Sequence, residues 1–187
     1  MSRSFDGTAV DADLIDDLCV EALRSPTAGN TGGVRFLTVG HERVSEYFDV
    51  ATDPEWRARS ARFPGLSRAG AVVLAASVPE AYVARYQEPD KANSGLGSLA
   101  AWPVPYWHTD AAMATMSLLL LLEDAGLQAT LWGNFRHDRD VLAWAGAPST
   151  WSLFGSVIIG HADGRDHRSA SLDRDLPSRR DRVLRVL

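Results

Sequence analysis

A chain of 187 residues has the size of one domain and is long enough to bury about two-thirds of its unfolded surface. A hydrophobic fraction of 45%, a charged fraction of 23% and a formal net charge of −5 are those of an ordinary globular protein, and they speak against a general nucleic-acid binder. The single cysteine, Cys19, excludes an intramolecular disulfide and a zinc–thiolate cluster, and no apolar run approaches the ~20 residues of a membrane span. The opening Met1–Val10 segment has no apolar core of the kind a signal peptide carries, so we expect a cytoplasmic protein that meets no membrane. Its cations are almost all arginine, Lys91 being the one lysine, so anions must be held by guanidinium forks and backbone amides.

Residues 11–23 read as a helix: Leu14, Ile15, Leu18, Ala22 and Leu23 recur on one stripe, and Asp11, Asp13, Asp16 and Asp17 favour its positive end. Cys19 falls within this helix as a small buried hydrophobe. A turn-rich stretch, 25–33, leads into a strand at 34–39. Residues 54–62 suggest a short helix with proline in its first turn, and 69–77 a strand apolar enough to be covered on both faces. A helix at 79–85 precedes a surface loop at 87–101. The next segment, 102–107, is stiffened by Pro103 and Pro105 and carries Trp102, Tyr106 and Trp107. Residues 108–125 form the strongest helix, apolar on more than one face, with Gly126 as its terminator. A strand at 127–132, a helix at 137–145 and a strand at 154–159 follow. From His161 onward the chain is polar, arginine-rich and without period. Neither a repeat nor a linker divides residues 1–187, which we read as one layered domain of helices and strands.

The side chains name no nucleophile or general base. There is no G-x-S-x-G elbow, no H-E-x-x-H and no phosphate-binding P-loop. His41, His108, His137, His161 and His167 are scattered, and His161 and His167 with Asp163 and Asp166 suit a solvated loop better than a metal site. We therefore expect no metal, and an organic cofactor would supply the missing chemistry. The best contact segment is 24–30: Pro26 breaks the helix, Gly29 permits close backbone approach, and the Asn30 amide offers both donor and acceptor. Those properties suit a heterocycle with N–H and C=O edges, although composition alone favours a plain helix-to-strand loop.

Several segments resemble the FMN-dependent nitroreductase family. Ser25-Pro26-Thr27-Ala28-Gly29-Asn30 is similar to its A-P-S-x-x-N-x-Q signature, and Arg3 and Phe5 match the later positions of its R-S-x-R-x-F opening. Asp110-Ala111-Ala112 through Ala125-Gly126-Leu127 resembles the central helix and its A-x-x-x-G-L ending. Leu131-Trp132-Gly133-Asn134 and Gly155 to Gly160 resemble the flavin-edge segment and the last strand. The 102–107 and 166–174 segments are closest to an actinobacterial branch. Departures exist: Met1 stands where the family's first serine would lie, Gly32 replaces a glutamine, Val34 a tryptophan and Gly70 a proline.

The resemblance implies an α+β fold in three α/β/α layers, a central mixed sheet flanked by helices, in an intertwined homodimer. It implies FMN as cofactor and NAD(P)H as electron donor, with a small-molecule acceptor and the chemistry carried on flavin N5 rather than on a catalytic side chain. Arg3, with Arg168 or Arg174, would hold the phosphate, although both tail arginines also read as solvent-exposed charge. Ser25, Pro26, Thr27 and Asn30 would meet a flavin bound mainly by the other subunit, and Trp132, Gly133 and Asn134 would line its edge. Trp102, Tyr106 and Trp107 would shape the substrate pocket or pack at the dimer interface. The altered positions leave two alternatives open: a flavin oxidase of a natural-product pathway, and a non-catalytic relative with weakened FMN binding.

Overall fold

The computed structural model describes residues 1–183 and folds them into three layers. The middle layer is a four-stranded sheet in the order β1 (Val34–Val39), β2 (Ala71–Ser77), β4 (Ser152–Gly160), β3 (Gln128–Trp132). Every residue of β2 is buried, as its unbroken apolar run demands of a strand covered on both faces. Side chains alternate along it, so Val72, Leu74 and Ala76 enter one core and Ala71 and Val73 the other.

The first core lies beneath α2 (Val44–Ala51), α4 (Phe63–Leu66) and α7 (Asp138–Trp144), with Tyr47, Phe48, Leu66 and Val141 essentially inaccessible. The second lies beneath α1 (Ala12–Ala22) and α6 (Tyr106–Asp124), where Ile15, Leu118 and Leu122 meet Val157 and Ile159 of β4. Each such buried aliphatic side chain contributes roughly 1.5–3 kcal/mol relative to exposure. Cys19 belongs to this core, and burial pushes its thiol up to about 12, so it serves as an inert filler. No helix among the described residues is long and apolar enough to cross a membrane.

The sheet differs from the mixed one expected, because every adjacent pair of strands runs antiparallel. The helical segments between β1 and β2 return the chain to the end at which it left the sheet, as does α7 between β3 and β4. Only the α5 (Pro79–Tyr86) and α6 crossover carries the chain to the opposite end, so β2 and β3 run the same way, but β4 separates them. The sheet therefore has two distinct ends. One holds Val34, Ser77 and Ser152; the other holds Val39, Ala71, Gly160 and the N-terminal segment, which pairs through Phe5 with Ala162.

Four further differences are local. Helix α6 begins at Tyr106, two residues before the expected start, with Pro105 as its N-cap residue. At its far end Gly126 takes φ +76 and Leu127 N–H reaches Leu122 O at 2.9 Å, closing it as expected. The stripe Val44, Tyr47, Phe48 and Ala51 makes α2, a helix absent from the sequence expectation, while α3 (Pro54–Arg59) stops before residue 62. The 87–101 loop contains two single 3₁₀ turns, Ala92–Ser94 and Leu99–Ala101.

Candidate functional site

The 25–33 loop lies at the Val34 end of the sheet and is held from beneath. Asp110, 1% exposed in the first half of α6, accepts the Ala28 N–H on Oδ2 at 2.8 Å and the Tyr82 hydroxyl on the same oxygen at 2.8 Å. Burial, then the hydrogen bond to this carboxylate, raises the Tyr82 phenol well above its ordinary value, so it stays a donor. Thr27 Oγ1 accepts the Gly32 N–H at 3.0 Å, and Arg85 Nε donates to Gly29 O at 2.9 Å. Gly29 and Asn30 are both left-handed, at φ +63 and +54, and Asn30 is the one non-glycine residue with positive φ among those described. The Tyr86 ring would lie 2.7 Å from a Cβ at Gly29, so the loop tolerates no side chain there.

The consequence is a rigid turn that presents Asn30 and Pro26 to solvent, while Ser25 and Thr27 are half-buried. Ser25 Oγ is occupied by Ala22 O and Ser117 Oγ. With Thr27, Gly32, Val34 and Arg35 it lines a cavity of about 120 Å³.

Trp102, Tyr106 and Trp107 cluster beside this loop with Tyr82 and Tyr86, in edge-on or tilted contacts of 4.6–6.3 Å. Trp102 is buried in the cluster and donates its indole N–H to Leu96 O at 3.0 Å. Its surface is thus spent inside the chain. Tyr106, 42% exposed, and the half-buried Trp107 retain surface for a ligand or a partner.

Trp132 ends β3 and meets Trp56 edge-on at 5.2 Å. The Asn134 side chain is buried and satisfied: Nδ2 donates to the Tyr47 hydroxyl and Oδ1 accepts from Ser156 Oγ, which leaves only its backbone for a ligand. Phe135 is 95% exposed, yet its ring folds back so closely that a Cβ on Gly133 would lie 2.4 Å from it. Trp56, Trp132, Gly133 and Phe135 share a cavity of about 220 Å³ with Asp53 and His137. There the buried His137 Nε2 sits 3.3 Å from Asp53 Oδ1 but out of line, without a hydrogen-bond partner.

At the opposite end of the sheet, Arg3 and Arg168 line a cavity of about 480 Å³ together with Asp166 and His167. Asp166 Oδ2 accepts the Arg3 backbone N–H at 3.0 Å, which ties the N-terminal segment to the tail. The Arg168 guanidinium is paired with Asp173 at 2.6 Å, and Arg174 is exposed and apart from this cavity. The nine residues of β4 separate the two ends, roughly 26 Å at about 3.3 Å per residue. Within one chain, then, the structure brings Arg3 to Arg168 and the 25–30 loop to the aromatic cluster, but it does not bring these two groups together.

Sequence reasoning missed Asp110, Tyr82 and Arg85, which hold the loop in place. A signal for the first existed, since Asp110 is an isolated charge near the start of an otherwise apolar helix.

Against known proteins, the pattern described as the Nitroreductase family matches residues 1–161. No curated protein matches. Among solved structures, the nitroreductase CinD from Lactococcus lactis in complex with nicotinic acid aligns at a TM-score of 0.77 and 18% identity, covering 100% of this chain and 95% of that one. A nitroreductase family protein from Streptococcus pneumoniae TIGR4 aligns at 0.70 and 16%, covering 100% and 94%. The gut-bacterial enone reductase CLA-ER aligns at 0.67 and 18%, covering 95% and 93%. At these identities the structures testify to the fold, and the match over most of the sequence to ancestry: the chain belongs to the nitroreductase family.

Proposed function

We propose that this chain is a single-domain, FMN-dependent oxidoreductase of the cytoplasm that works as a homodimer, with NAD(P)H as donor and a nitroaromatic, quinone or enone as acceptor. The observation that carries the reading is the separation of two groups of ligand-type residues by the length of β4. An exposed, rigid Asn30 turn stands at one end and half-buried Arg3 at the other, and a second copy of the chain would bring one to the other.

The surface of α6 supports the dimer. Met113, Met116 and Leu120 are 41%, 52% and 60% exposed at helical spacing, and Val20 of α1 and its C-cap residue Leu23 are exposed as well. A monomer would leave this apolar stripe in water, at about 25 cal/mol per Å².

The donors present fit a flavin. Guanidinium groups at the Arg3 end suit a phosphate dianion, and an amide with both donor and acceptor suits a ring edged by N–H and C=O groups. Bound FMN would supply two-electron transfer, taking a hydride from NAD(P)H and delivering it to the acceptor. The chain's own share is positioning. Asp110 and Tyr82 hold the Asn30 turn, and Tyr106 and Trp107 present aromatic faces to the acceptor. The neighbours that reduce nitro compounds and an enone favour this acceptor class.

The test is an absorbance spectrum of freshly purified protein, with and without added FMN, followed by anaerobic addition of NADPH. Flavin bands that bleach are expected, along with a dimer in sedimentation that Leu120→Arg converts to monomer. A colourless protein that takes up no FMN refutes the proposal.

A further inference from the structure

Helices α3 and α7 each begin on a polar residue that does not cap its own helix. Asp53 is the N-cap residue of α3 and His137 that of α7, and neither side chain bonds the free N–H groups of the turn that follows. Aspartate is among the best residues for that role, so a carboxylate turned away from it gives up a stabilising contact. Instead, the two side chains meet across the cavity of about 220 Å³, with Asp53 Oδ1 3.3 Å from His137 Nε2. That nitrogen is the one buried side-chain polar atom without a hydrogen-bond partner among the described residues. Exposed Asp140 stands 3.7 Å from the other ring nitrogen, and exposed Arg136 lies 3.9 Å from Asp53 Oδ2. Neither answers Nε2, and a buried polar atom left unpaired is costly.

The rest of the cavity is aromatic and firmly placed. Arg57 Nη1 donates to Phe48 O at 3.1 Å and to Thr52 O at 3.3 Å, which ties the end of α2 to α3 and fixes Asp53 between them. Trp56 meets Trp132 edge-on, and Phe135, almost wholly exposed, stands at the mouth with its ring against Gly133. A phenyl ring left in water beside two indoles favours an apolar body that covers it.

We propose that this cavity binds a small aromatic molecule bearing a hydroxyl or amino group, its ring against Trp56, Trp132 and Phe135 and its polar group bridging Asp53 and His137. A carboxylate only accepts, whereas a ring nitrogen donates or accepts according to its tautomer. A group that both donates and accepts therefore satisfies the two together: it donates to Asp53 and accepts from Nε2–H. The size agrees, because a cavity of about 150 Å³ admits a benzene ring. The three fused rings of a flavin exceed this space, so the site is separate from the cofactor's and does not rest on the function proposed above.

The experiment follows para-fluorophenol, para-fluoroanisole and para-fluorobenzoate by fluorine NMR with the full chain, and the His137 ring nitrogens by nitrogen NMR. The phenol binds and shifts the His137 signals. The anisole has no proton to donate and binds roughly 2- to 12-fold more weakly, as expected for one neutral hydrogen bond. The benzoate, repelled by Asp53, binds weakest. After melting curves establish folding, His137→Phe removes the preference for phenol over anisole, and Asp53→Asn admits the benzoate. Trp56→Ala weakens phenol and anisole alike. Saturating FMN does not displace the phenol. No binding of the phenol, equal affinity for phenol and anisole, a preference that survives His137→Phe, or displacement by FMN overturns the site. A protein that takes up no FMN yet binds the phenol through His137 refutes only the flavin reading.

Discussion

The two ends of the sheet are built on different physics. At the Val34 end, the 25–33 loop is fastened by a buried carboxylate, two hydrogen bonds to one of its oxygens and two tyrosine rings that leave no room for side chains. At the Gly160 end, the carboxylates of half-buried Asp163 and exposed Asp166 hold the N-terminal segment against a largely exposed tail. The first arrangement makes a rigid surface that offers polar groups to something outside the chain. The second leaves cationic side chains whose partners are incomplete.

Substitutions sharpen this contrast. The largest effect is expected for Asp110→Ala, which strands the Ala28 N–H and the Tyr82 hydroxyl in the interior; at about 1–3 kcal/mol for each unsatisfied group, the loss is roughly 2–6 kcal/mol in urea unfolding. A loss under ~1 kcal/mol would mean that the loop is not anchored there. Gly29→Ala comes next, at about 1–3 kcal/mol, because the new methyl meets Tyr86 and the backbone keeps φ +63. Equal stability of this variant in thermal melts would contradict the tight fit.

The smallest effect belongs to the other end and depends on pH. The Asp163 carboxyl is held below its ordinary value of 3.8 by the Arg165 N–H first, then by the Ser4 hydroxyl and the Arg68 charge. A depressed native value means that its stabilisation is complete above the unfolded value and fades as pH falls through the native one. Asp163→Asn therefore melts below the unaltered protein at neutral pH, and the gap closes below about pH 4, near the ordinary carboxyl range. A gap independent of pH would assign the effect to packing instead of charge.

Much of this was legible along the chain. The two-sided burial of β2 and the Gly126 terminator were implied by local pattern and stand in the fold, whereas of the stripe expected on α1 only Ile15 and Ala22 are buried, with Cys19, while Leu18 is half-buried and Leu14 and Leu23 are exposed. The turn at 25–30 was also legible, through Pro26 and Gly29. The role of Trp102 was not, because an aromatic residue just before a proline reads alike whether it faces a ligand or, as here, its own chain's tyrosines. Asn134 was expected at the flavin edge, but its amide is absorbed by Tyr47 and Ser156, contacts formed across 87 and 22 residues of sequence.

By itself, the sequence determined most of the elements, their order and the family they belong to, though not α2, since periodicity and punctuation report which side of a residue is buried. Only the tertiary structure decided what each buried face meets. It set β4 between β2 and β3, put Ala28 and Tyr82 on the carboxylate of Asp110, and brought Arg62 to Arg3 through a glycine too small to keep them apart. The reason is that these contacts join residues tens of positions apart, whose meeting depends on how whole layers pack and leaves no mark in the local spacing of apolar and polar side chains.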